Sequence, residues 1–196
     1  MFLRTILFST LILLCSGAAL AQRPGPQFWR KATCEALEPR TALERLDNEY
    51  STIIVKGFSR LTTVDVRGVR VDMVEMRDMA DALRRAKGIV VVLREGGDRP
   101  NDNRAFVDYS ELDQLLNAID VVGRVDETTT KLASFEAKYK TLGDLEIDVF
   151  RQTRSGTAVV LTTGICDRAT QTLTLDDLAK FKALIQEAKT RLDDIR

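Results

Sequence analysis

The chain has 196 residues, 29 basic side chains balanced by 29 acidic ones, and no histidine. Without a basic excess a nucleic-acid partner is not expected, and without histidine there are no Ser-His or Cys-His nucleophile pairs and no His-ligated zinc. Charged residues form 30% of the chain and mix both signs finely, which describes a solvated surface rather than a charged tail.

The chain opens MFLRTILFSTLILLCSGAALAQ. Arg4 precedes an apolar run from Ile6 to Leu14, and Ala19-Leu20-Ala21 supplies the small residues of an A-x-A cleavage site. Residues 1–21 therefore read as a secretory signal peptide cleaved near Ala21. The run is shorter than the roughly 20 residues that span a bilayer. The expectation is an exported protein, periplasmic or secreted, with no integral membrane segment after cleavage. Cys15 ends the run, but Leu14 stands before it where a lipid-attachment signal wants a small residue. About 175 residues remain, enough for one domain with its own core.

Residues 22–50 read as an N-terminal arm. A flexible QRPGPQ lead is followed by Phe28 and Trp29, and Thr41-Ala42-Leu43-Glu44 caps a short helix bearing Leu43, Leu46 and Tyr50. Trp29 is the only tryptophan, and an aromatic anchor on a flexible lead suits a group that docks. After cleavage two cysteines remain, Cys34 and Cys166. In an oxidising compartment they permit a disulfide, with two unpaired thiols as the alternative.

Residues 51–196 read as a single domain made of two repeats, about 51–126 and 130–194. The first is expected to run through strands Thr52–Val66, Val69–Met76 and Ile89–Arg94 to a helix from Tyr109 to about Val122. The link RDMADALRRAKG between its second and third strands has room for a turn or two of helix. In the second, Phe135, Ala137 and Tyr139 alternate with Glu136, Lys138 and Lys140 as in a strand with one buried face. Strands Leu145–Phe150 and Thr157–Thr163 follow, then a helix Leu175–Asp194 with Leu178, Phe181, Ile185 and Leu192 on one stripe. Val69–Val74 matches Leu145–Phe150, Val90–Val92 matches Val159–Leu161, and Val107–Ile119 matches Leu173–Ile185. Both long helices carry a capping-box pattern, Asp108…Glu111 and Thr174…Asp177. The predicted fold is α+β and two-layered. Two β-β-β-α units form a roughly six-stranded antiparallel, saddle-like sheet with both long helices on one face.

The most polar run, EGGDRPNDN (Glu95–Asn103), joins the third strand to the first capped helix in this scheme. It gathers carboxylates and carboxamides but does not fit the calcium-loop pattern, and its counterpart Gly164–Gln171 makes the same connection, keeping the Asp-Arg pair without the extra Asn101, Asp102 and Asn103. It reads as a connector, and no metal site is expected. No Walker A, G-x-G-x-x-G or G-x-S-x-G pattern occurs, so neither a cofactor nor catalytic residues are assigned. Asp72 and Asp148, at matching strand positions, are the carboxylates an acid–base reading would choose.

The runs Ile89–Leu93 and Ala158–Leu161 are apolar at consecutive positions, which suits strands buried on both faces. Something must cover the sheet face opposite the helices, where Phe150 would lie. Three covers are open: the Trp29 arm with its short helix, a second copy of the chain, or an envelope protein partner. The leading expectation is an exported, non-enzymatic binding or protein-interaction module acting through a sheet face, with Trp29 and Phe150 on its interaction surface. The alternatives are a carboxylate-dependent cell-envelope enzyme and a self-associating structural envelope protein.

Overall fold

The computed structural model describes residues 38–94, 102–126, 128–152, 156–164 and 168–195. The chain divides into Met1–Thr33 and Cys34–Arg196, and every described residue belongs to the second unit. That unit is α+β, and among the described residues no helix is long and apolar enough to cross a membrane.

Thr41 starts helix α1 (Ala42–Asp47) through the expected capping box with Glu44. The helix ends before Tyr50, which is left exposed. Four strands follow: β1 (Ile54–Arg60), β2 (Val69–Asp78), β3 (Arg85–Arg94) and β4 (Asp102–Asp108). A 3-10 turn (Tyr109–Glu111) then leads into α2 (Leu112–Val122). The second half repeats this order with β5 (Glu136–Lys140), β6 (Leu145–Gln152), β7 (Gly156–Thr163), β8 (Ala169–Leu173) and α3 (Leu175–Asp193).

The single six-stranded sheet is overturned. There are two four-stranded antiparallel sheets, β1-β2-β3-β4 and β5-β6-β7-β8, each with strands adjacent in chain order. Each half is β-β-β-β-α, so the polar connections after β3 and β7 lead into a fourth strand, not into a helix. The missed strands are DNRAFVD and ATQTL. Their Asn, Asp, Arg, Gln and Thr read as loop chemistry, yet pairing with β3 and β7 recruits them as outer strands. The RDMADALRRAKG link forms no helix, because β2 and β3 extend through it to Asp78 and from Arg85, leaving a short turn.

One capping box also fails. Asp108 makes no side-chain cap to its own turn. Its carboxylate accepts instead from the Ala42 and Leu43 amides of α1, at 2.7 and 3.1 Å. Glu111 accepts from the Leu142 amide at 2.9 Å. At α3 the Thr174–Asp177 box forms as expected.

The consecutive apolar residues of β3 divide between two cores, because successive side chains point to opposite faces. Ile89, Val91 and Leu93 enter the main core with Val71, Met73, Ala105 and Val107 of their own sheet. The same core takes Leu145, Ile147, Val149, Val159 and Leu161 from the second sheet, together with the apolar stripes of α2 and α3. Val90 and Val92 face the other way, with Val74, Met76 and Phe106, and are covered by Leu43 and Leu46 of α1. A six-residue helix is too short to persist alone. Burying a leucine is worth roughly 1.5–3 kcal/mol, so these two side chains hold α1 against the sheet. The two sheets meet where the Phe106 backbone bridges to Gly143 and the Thr163 hydroxyl donates to the Asn103 carbonyl at 3.2 Å.

Candidate functional site

Helix α1 covers the second face of the first sheet over β2, β3 and β4, and the strand left exposed is the outer edge, β1. Register with β2 runs Ile54–Asp78 through Arg60–Asp72. The Met79 amide donates to the Ile53 carbonyl at 2.9 Å and the Leu61 amide to the Val71 carbonyl at 3.0 Å. Antiparallel pairs alternate between bonded and non-bonded positions, so the odd residues of β1 bond β2. The N–H and C=O groups of Ile54, Lys56, Phe58 and Arg60 are therefore aimed away from it. Phe58 is 75% exposed and Val55 50% exposed on this strand. The flanking turns add Tyr50, Ile53, Met79 and Leu83, all exposed.

Near the end of β1 lies a cleft of about 310 Å³ lined by Arg60, Arg70, Arg94 and Asp65 above Val66 and Leu184. Asp72, the first carboxylate singled out from the sequence, is held by Arg70 Nε at 3.0 Å and Arg60 Nε at 3.6 Å.

The other carboxylate lies on the outer face of the second sheet. Glu146 and Asp148 share a face of β6, and β5 places Lys138 directly opposite Asp148. Lys138 Nζ reaches Glu146 Oε1 at 3.1 Å, Asp148 Oδ1 at 3.3 Å and Glu136 Oε1 at 3.3 Å. Arg168 Nη2 also donates to Glu146 Oε1, at 2.9 Å. Burial pushes Asp148 above the ordinary aspartate range, and the neighbouring Glu146 adds to this against the pull of Lys138. Burial works on Glu146 in the same direction, but Lys138, Asp148 and Arg168 outweigh it and hold Glu146 low. Lys138 is correspondingly raised, first by its bond to Glu146 and then by those to Asp148 and Glu136. Two carboxyls with separated proton affinities are a pattern found in acid–base pairs. Here they lie nearly buried beneath Lys138 on the outer face of the second sheet, and the Arg60 cleft opens elsewhere.

Phe150 lies half-buried on this same face, paired with Glu136 and Ala158. Trp29, Cys34 and Cys166 lie outside the described residues, as does most of the Glu95–Asn103 run apart from its end in β4. Sequence reasoning missed the β1 edge and the arginine cleft. IVKGFSR signals a strand, but nothing in it tells an outer strand from an inner one. No protein-family model matches the chain, and no curated protein matches it.

Proposed function

We propose that this is an exported binding module, built of two copies of one strand-and-helix unit, that takes up an extended polypeptide strand along β1. The observation that carries the reading is the exposure of Val55 and Phe58 on an outermost strand. An exposed outer strand that carries apolar side chains on both faces is a ready template for pairing with another strand. An added strand draws affinity from the backbone and specificity from alternate side chains, and the outward groups of Ile54, Lys56, Phe58 and Arg60 supply the first. The signal-type start of the sequence supports export.

The test is a peptide-display selection against the chain beginning at Gln22, read by amide hydrogen exchange. Selected peptides are expected to slow exchange at Ile54, Lys56, Phe58 and Arg60 and to lose binding to Phe58→Glu. Peptides that protect other amides and tolerate Phe58→Glu would overturn the reading.

The split between Glu146 and Asp148 favours a second reading, a carboxylate-dependent enzyme. Alanine at Asp72 and Asp148 separates the two. An enzyme loses turnover on a chromogenic glycoside panel with its fold intact, whereas strand binding at β1 is unchanged.

A further inference from the structure

We propose that the strand received by β1 is β1 of a second copy of this chain, paired antiparallel about a two-fold axis through Gly57. This rests on the β1 binding reading and names its partner. Lys56 and Arg60 are the two cations of β1, both on the face shared with Val74 and Met76. They restrict which registers a symmetric pair can adopt, because like charges directly opposite are destabilising. An axis at Lys56 would set two lysines against each other. An axis at Phe58 would set Lys56 against Arg60 twice. An axis at Gly57 sets Lys56 against the partner's Phe58 and Arg60 against the partner's Ile54, so each cation meets an apolar side chain. The first of these pairs suits a cation–π contact, and the same Lys56 already lies 5.4 Å from the Phe106 ring.

The backbone agrees with that register. The residues it makes bonded partners, Ile54 with Arg60 and Lys56 with Phe58 in both directions, are those whose N–H and C=O point away from β2. Gly57 falls on the axis at a non-bonded pair, where side chains come closest and a missing Cβ removes any clash. The interface is isologous and closes as a dimer, joining the two first sheets into one with α1 of each copy on the same face. Exposed Val55 and Phe58 then lie at the seam, which accounts for apolar residues on an outer strand that otherwise invites uncontrolled pairing.

Light scattering coupled to size exclusion, across a concentration series of the chain from Gln22, tests this with two charge variants and two cysteine variants. The wild type is expected to shift from monomer to dimer as concentration rises. Phe58→Lys places a lysine opposite the partner's Lys56 on both sides of the axis and is expected to weaken the dimer at least tenfold, with circular dichroism unchanged. Phe58→Lys/Lys56→Glu restores opposite charges in this register and should recover the dimer. Gly57→Cys is sterically tolerated, since its Cβ would approach only the Glu75 carbonyl oxygen at 3.9 Å. It is expected to crosslink on mild oxidation beyond the wild-type level, whereas Val55→Cys is not. A wild type that stays monomeric at every concentration overturns the inference, as does a dimer indifferent to Phe58→Lys. If the peptide selection still maps to β1 in either case, self-pairing alone has failed; if it maps elsewhere, the strand-binding reading has failed too.

Discussion

Asp108, the last residue of β4, accepts a 2.7 Å hydrogen bond from the amide of Ala42, 66 positions earlier, and so closes the start of α1 from across the sheet. The same carboxylate takes the Leu43 amide. Asp108→Ala is expected to cost about 1–2 kcal/mol, read by urea unfolding, with Asp108→Asn losing less because it keeps an acceptor. An alanine variant as stable as wild type would show that Thr41 and Glu44 hold α1 without help.

The junction between the sheets makes a sharper demand. A Cβ on Gly143 would collide with the carbonyl of Phe106, and that carbonyl is backbone, unable to swing aside. Gly143→Ala should destabilise by roughly 1–3 kcal/mol, seen as a lowered Tm. Gly57→Ala, whose Cβ would meet only the Glu75 carbonyl oxygen at an ordinary contact distance of 3.9 Å, is the matched control and should change Tm little.

Burial, as the largest influence, raises Glu111 above the ordinary glutamate value of 4.5, against the opposing Leu142 amide. The folded protein therefore keeps this proton to a higher pH than the unfolded chain does. Across the window from the ordinary value up to the raised one the native state binds more protons, so this group's contribution to stability falls as pH rises. Glu111→Gln removes that slope while keeping an acceptor for Leu142. Its Tm relative to wild type should improve from about pH 4 to about pH 7; a difference flat with pH would show that Glu111 titrates normally.

Lys138 is the cation shared by Glu136, Glu146 and Asp148. Lys138→Met should move Asp148 further up, because Lys138 is the main influence pulling it down. Glu146 should rise too, having lost one of its cationic partners while keeping Arg168. Carboxyl carbon shifts followed by NMR through a pH titration measure both. An unmoved Asp148 would contradict the shared-cation arrangement.

Much of the local structure was legible because it depends on neighbours in the chain. The α3 stripe of Leu178, Phe181, Ile185 and Leu192 and its Thr174–Asp177 box follow from helical spacing and local hydrogen bonds. The alternation from Glu136 to Lys140 gives β5 in the same way. Asp108 and Glu111 carry an equally good local pattern, but each found a distant amide instead, on α1 and at Leu142. A capping motif offers an acceptor; packing decides which donor arrives.

The sequence by itself determined that the chain is α+β, where its two long helices run, and that β3 is apolar on both sides. It could not decide how many sheets form, because the outer strands β4 and β8 are too polar to announce themselves and exist through pairing with β3 and β7. Nor could it show that α1 covers the second face of the first sheet, which needs Leu43 and Leu46 brought against Val90 and Val92. Tertiary structure decided these points, because strand pairing and face coverage are contacts between residues far apart in sequence. It also left Phe58 exposed on the outer strand of the first sheet.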